Sequence, residues 1–174
     1  MSALVAALPL MPFAQPAPFN RENIVIARDQ WGVPHVFAKT DAEAAYGISW
    51  AHCEDDFKTV QQMMLVCKAR AGEYLGVGGA ALDFLVRFSG LRELVEQRYD
   101  TDIEPKVKTL LEASCAAVNR YAARHPDQVL IKDAFPVTPK DMVVGFAFTA
   151  SLLNGFPFVV QHILENRLDE YKEG

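Results

Sequence analysis

The chain has 174 residues, 51% hydrophobic and 22% charged, with a net charge of −5 at neutral pH. That is enough sequence for one domain with its own core, and too much apolar content for a disordered chain. An acidic balance without any Lys/Arg block lacks the electrostatic footprint of a nucleic-acid binder and speaks against anionic membranes as partners.

Residues 1–20 read as an apolar arm. The run from Ala3 to Phe13 is interrupted by Pro9 and Pro12, and the first positive side chain is Arg21. The run falls short of the roughly 20 residues of a membrane span and lacks the basic start of a signal peptide. Residues 24–38 then spell a β-hairpin. Ile24 to Arg28 and His35 to Ala38 are β-rich, and Asp29-Gln30-Trp31-Gly32 between them supplies turn residues. Pro34 cannot donate to a ladder, so it belongs at the start of the second strand or on an edge.

From residue 41 to 174 the pattern is helical. Thr40 or Asp41 caps a helix with Glu43 in its first turn, and Tyr46, Trp50, Cys53, Phe57, Val60, Met64, Cys67 and Ala71 form one stripe at steps of four and three. The stripe predicts a continuous helix of about seven turns, with Gly47 as the candidate kink and Glu54, Asp55 and Asp56 flanking the stripe as a solvated face, or with one of them a buried structural carboxylate hydrogen-bonded to backbone or Arg. Gly72, Gly76, Gly78 and Gly79 predict a break, and Leu82 to Arg98 a second helix. Thr101 and Glu104 have capping-box spacing ahead of Pro105, opening a third helix with Ile103, Val107, Leu110, Leu111, Val118 and Tyr121 inward, which His125-Pro126 ends. Thr138-Pro139-Lys140-Asp141 opens a fourth, from Met142 to Leu153. Asn154-Gly155-Phe156-Pro157 breaks it, and a last piece carries Ile163, Leu164 and Leu168. The fold class is α+β and mostly helical, one hairpin with four or five helices in a single unit. A lone hairpin is marginal in water, so this one calls for a larger sheet from outside the chain.

No complete catalytic set is visible. His52-Cys53-Glu54 has the H-x-E half of a zinc deaminase without the P-C-x-x-C partner, and residues two apart on a helix point about 200° from each other. Asp29 and His35 have no serine in a nucleophile elbow to serve, and Gly76-Val77-Gly78-Gly79 lacks the Lys-Ser/Thr of a phosphate loop. Cys53, Cys67 and Cys115, odd in number and widely spaced, read as small buried hydrophobes. No metal ligand set is assigned.

The stretch Ile26-Ala27-Arg28-Asp29-Gln30-Trp31-Gly32-Val33-Pro34-His35-Val36-Phe37-Ala38 resembles the beginning of the penicillin acylase family. So do Asp41 to Gly47, Trp50 to Asp55, and Ala69-Arg70-Ala71-Gly72 through Leu75-Gly76. The resemblance implies an N-terminal-nucleophile hydrolase, the group containing penicillin, cephalosporin and acyl-homoserine-lactone acylases. In such enzymes a precursor cuts itself into a small and a large chain. The nucleophile, a Ser whose own α-amino group is the base, and the oxyanion hole lie on the large one. The present chain resembles the small one, with Gly174 before the cleavage point. It would complete an αββα fold with a separate catalytic chain as partner, in a periplasmic or secreted enzyme.

By the same resemblance Leu152, Leu153, Asn154, Gly155 and Phe156 would bind substrate, with Leu152 and Phe156 lining the acyl pocket. Gly155 stands where penicillin-G-type enzymes carry an Arg, and His162 where they use a Glu for calcium, which leaves Glu165 as the nearby substitute; no cofactor is assigned. The implied activity is hydrolysis of an N-acyl amide with a hydrophobic acyl group, an acyl-homoserine lactone or similar small molecule. A penicillin or cephalosporin acylase is the alternative, and a non-catalytic helical interaction module is the alternative of another class.

Overall fold

The computed structural model describes residues 19–165. Most of the 1–20 arm and Leu168 lie outside the described residues. The hairpin pairs β1 (Val25–Arg28) with β2 (Pro34–Phe37) antiparallel, Ile26 opposite Val36 and Arg28 opposite Pro34. Pro34 opens its strand, as its missing N–H requires. Asp29 Oδ1 accepts from the N–H groups of Trp31 and Val33, and Gly32 takes φ +81°, so the turn is closed by its own first side chain.

Helix α1 (Asp41–Cys67) starts in a full capping box between Thr40 and Glu43. Glu43 does more than cap. It is 2% exposed, and its carboxylate accepts from Asn20 N–H, Asn23 Nδ2, Lys39 N–H and Thr40 N–H. These bonds hold the carboxyl below the usual carboxylate range, the Asn23 amide contributing most. Gly47 does not kink the helix. The face of the hairpin lies against it, and a Cβ there would stand 2.5 Å from Val36 Cγ1 and 3.0 Å from Ile24 Cγ2. The kink falls at Asp56, with φ −155° and ψ 75°. Its carboxylate accepts from the N–H and hydroxyl of Thr59, so Asp56 caps the second half of the helix from within. Past this offset the buried positions are Phe57, Gln61, Leu65 and Cys67, with Val60 and Met64 of the expected stripe only half-buried, and the helix ends a turn before Ala71.

The glycine-rich stretch corrects the expected boundaries. Gly72–Leu75 forms α2 and Val77–Phe88 forms α3, so Gly78 and Gly79 lie inside a helix. The helix expected over 82–98 is cut at Ser89-Gly90, and α4 runs Leu91–Asp102. Asp83 explains the first boundary: its carboxylate accepts from Ala71 N–H and Gly72 N–H, fixing α3 across the bend. Thr101 is no cap. It sits in α4 with its hydroxyl donating to Arg98 O, and Glu104 precedes α5 (Pro105–Arg124) without a side-chain capping bond. Val107, expected inward, is exposed, while Ala113, Cys115 and Ala117 are buried. Helix α6 (Pro139–Leu153) opens in the predicted place, but the break after it is only Asn154 and Gly155, and Phe156 and Pro157, expected in the break, begin α7 (Phe156–Leu164), where proline is tolerated in a first turn.

Two main cores result. Cys53 and Phe57 of α1 pack with Cys115, Val118 and Tyr121 of α5 and with Val137. Val86, Val95, Tyr99, Leu111, Val144 and Phe148 join α3, α4, α5 and α6. All three cysteines are free and buried, and burial pushes the thiols of Cys53 and Cys115 up to about 12 and that of Cys67 to about 11. A thiol reagent at neutral pH is therefore expected to label none of them in the folded protein and all three after denaturation, read by intact mass. A pair of neighbouring glycines tests the helix bend. A Cβ on Gly79 would collide with the Ala71 carbonyl, whereas one on Gly78 meets nothing within 4 Å. Gly79→Ala should lower stability by about 1–3 kcal/mol, and Gly78→Ala should leave it unchanged or raise it by up to about 1 kcal/mol, in thermal or denaturant unfolding.

Candidate functional site

From Met142 to Gln161 the sequence carries no charged residue. This stretch makes most of α6, the break, and most of α7. The charged end of α6 lies instead at its start, where Asp141 is 3% exposed. Its carboxylate meets Arg92 at 2.8 Å and Lys68 at 3.4 Å, and accepts from the Thr138 N–H and hydroxyl. Burial pushes the Asp141 carboxyl up, but the Arg92 guanidinium, the two Thr138 bonds and the Lys68 ammonium outweigh it and hold the carboxyl below its usual range.

The far end of α6 is closed by its own side chains. Ser151 Oγ donates to Ala147 O, Asn154 Nδ2 and N–H both donate to Ala150 O, and Gly155 turns the chain at φ +93°. A non-glycine residue is strained at that φ. Phe156 then folds back, its ring 6.5 Å from and edge-on to Phe148. Leu152 and Phe156 are half-buried against the second core, while Leu153 is 82% exposed and Phe146 and Phe158 are both 68% exposed. The five residues named from the resemblance thus come together as one turn, but they face two ways. Leu152 and Phe156 seat the turn on the second core, and Leu153 is exposed, as are Phe146 earlier on α6 and Phe158 on α7. This apolar ledge offers no group for proton transfer or attack.

The other candidates serve structure. His35 Nε2 and Asp29 Oδ2 are 3.2 Å apart on the exposed hairpin. Glu54 and Asp55 are tied to Arg28 at 3.2 and 2.7 Å, Glu54 also accepts from Trp50 Nε1, and Arg28 donates to Gly32 O. Glu54 and Asp55 thus pin the hairpin turn to α1, the Arg-bonded alternative for this run but on two carboxylates that stay partly exposed rather than on one buried one. Sequence reasoning missed Arg28 as the partner, because a pair separated by 26 residues has no periodic signature. The Ser89 hydroxyl donates to Val86 O and that of Ser151 to Ala147 O. Among the described residues no group of three or more His, Cys, Asp or Glu side chains is placed to hold a metal ion.

The profile of the penicillin amidase family matches residues 23–169. The chain belongs to that family. Among individual relatives, penicillin acylase 2 proenzyme from Pseudomonas sp. (strain SE83) is 30% identical over 121 residues, 70% of this chain and 16% of that protein. Acyl-homoserine lactone acylase QuiP from Pseudomonas putida is 25% identical over 115 residues, 66% of this chain and 14% of the relative. The chain thus spans about one sixth of the length of the curated relatives it matches. Among solved structures, thermostable penicillin G acylase from Alcaligenes faecalis superposes with a TM-score of 0.60 at 20% identity, over 74% of this chain and 72% of that one. The mostly helical, hairpin-led architecture is that of the family.

The Asp141 site carries a pH signature. A carboxyl lowered by folding contributes its full stability above its unfolded value, near 4, and loses that contribution as the pH falls through the lower folded value. The stability gap between the wild type and Asp141→Asn should be widest at pH 7 and narrow toward pH 3, as followed by urea unfolding midpoints at each pH.

Proposed function

We propose that this chain is the smaller, non-nucleophilic subunit of an acylase that hydrolyses N-acyl amides with a hydrophobic acyl group. A larger chain from the same self-processed precursor would carry the N-terminal nucleophile, its α-amino base and the oxyanion donors. The family match is the observation that carries this reading. Support for a second chain comes from the relatives' length and from the printed name of one of them as a proenzyme. The role left to the present chain is the apolar ledge at Leu152 to Phe156, which would form one wall of the acyl site, and the hairpin, which would add its strands to a sheet of the larger chain. A periplasmic or secreted location is part of the proposal and rests on the family resemblance.

Acyl-homoserine lactones are the preferred substrates. Several of the relatives bear that name, and the turn at Gly155 presents no side chain to pair with a substrate carboxylate. Hydrolysis of the side-chain amide of a penicillin or cephalosporin stands as the second reading, favoured by the 30% identity to a penicillin acylase proenzyme. The experiment uses the natural full precursor, purified after processing and assayed for amine release from N-acyl-homoserine lactones of graded length and from penicillin G. Each buried CH₂ is worth about 0.8 kcal/mol, so kcat/KM should rise about fourfold per methylene until the site is full. Leu153→Asp changes an exposed residue and should depress the long-chain substrates more than the short ones. Phe156→Ala should shift the preferred length. Unchanged ratios in both variants would remove the ledge from the acyl site, and a processed enzyme that opens no amide in the series would overturn the acylase reading.

A further inference from the structure

Between α5 and the connection that leads to α6 lies an open groove of about 860 Å³, a volume in the range of ligand clefts. Small side chains on α5, among them Ala116 and Ala123, make the room, and Val129, Phe135 and Pro136 face them from the connection. Four side chains fasten that connection at successive points. Gln61 donates to Gln128 O and accepts from Leu130 N–H, Arg70 donates to Asp133 O, Lys68 donates to Pro136 O, and Asn119 exchanges two bonds with the Val137 backbone. The walls are therefore ordered before anything enters, which removes one cost of binding.

The charges on this groove are few and uneven. Half-buried Arg120 lines it from α5, exposed Lys132 lines it from the connection, and Glu112 is its one carboxylate among the described residues. Eight helical residues separate Glu112 from Arg120, about 12 Å along the axis, so Glu112 marks the α5 N-terminal end of the groove. Asp133, next to Lys132 in the chain, is taken by Arg70 at 2.8 Å. Among the described residues no ion pair includes Arg120 or Lys132. The lining thus carries one net positive charge in a chain whose net charge is −5. Its complement is a molecule with an apolar tail and a single negative head. The tail takes the apolar walls out of water, and the head makes charge-assisted bonds to two cations that have no partner in the chain. A planar carboxylate also matches the fork of the Arg120 guanidinium.

We propose that this groove binds an amphipathic monocarboxylate, an unbranched aliphatic acid whose tail lies against Ala123, Phe135 and Pro136 and whose carboxylate is held by Arg120 and Lys132. The site shares no residue with the Leu152 to Phe156 ledge, and it stands or falls without regard to which amide the enzyme opens. The test irradiates the natural full enzyme with a dodecanoate carrying a diazirine in its chain, below its micelle concentration, and locates the label by peptide mass spectrometry. Labelling is expected within residues 112–139. Dodecanoate should compete better than decanoate or octanoate, by about two- to fourfold in concentration per methylene, and dodecanol and dodecyltrimethylammonium should compete at least about tenfold less well than dodecanoate. Arg120 and Ala123 belong to no core cluster, so the unfolding midpoint should be kept when either is changed. Ala123→Trp fills the groove and Arg120→Gln removes one cation, and each should weaken labelling of 112–139 about tenfold. Label on Leu152 to Phe156 belongs to the acyl site and is scored apart. Absence of label within 112–139, as when a larger chain covers the groove, overturns the proposal. So does competition by dodecanol equal to that by dodecanoate, or labelling undiminished in either variant.

Discussion

The buried carboxylate of Glu43 is the constraint on which the arrangement of this protein depends. An ionised group out of water is tolerated only when donors surround it, and Glu43 collects them from both ends of the hairpin segment, from Asn20 and Asn23 before it and from Lys39 and Thr40 after it. Because it also occupies the first turn of α1, one carboxylate closes that segment onto the start of the longest helix. The hairpin, α3, α5 and α6 all pack on α1, so its direction sets where each of them lies.

Asp141 repeats the device at the second important helix. Both residues stand three positions into a helix behind a threonine cap, and both use oxygens beyond the capping bond to draw in distant groups. For Glu43 these are backbone and amide donors, and for Asp141 they are the cations Arg92 and Lys68. A negative group at a helix N-terminus also meets the favourable end of the helix dipole. The result for α6 is an asymmetric helix, anchored by charge at its beginning and apolar at its end, which is why the turn around Gly155 can stand at the surface with so many uncharged residues around it.

The exposed apolar residues fall into separate regions. Trp31 and Phe37 lie on the hairpin, Val77, Phe84 and Phe88 on α3, and Phe146, Leu153 and Phe158 on the α6–α7 ledge. Val77, Phe84 and Phe88 recur at helical spacing, and Phe84 stacks on Phe88 at 5.8 Å. Contiguous apolar faces of this kind are characteristic of surfaces that meet another molecule.

The amino-acid sequence by itself determined the hairpin, the Thr138 helix start and the helix end at His125, because each is written in neighbouring residues whose conformational preferences act within one turn. It also carried the family, through motifs in order along the first half of the chain. The resemblance singled out the five residues of the α6–α7 turn, but not which of them faces outward. The family resemblance placed Leu152 and Phe156 in the pocket wall, and packing on the second core half-buries those two and leaves Leu153 exposed. Only the tertiary structure decided the kink at Asp56, the helix across Gly78 and Gly79, the idle Thr101, and the pairing of Arg28 with Glu54 and Asp55. These depend on contacts between residues far apart in the chain: the hairpin against Gly47, the Asp83 carboxylate on the Ala71 and Gly72 amides, the hairpin turn against α1. A local pattern cannot rank such contacts against its own propensities, and here several of them won.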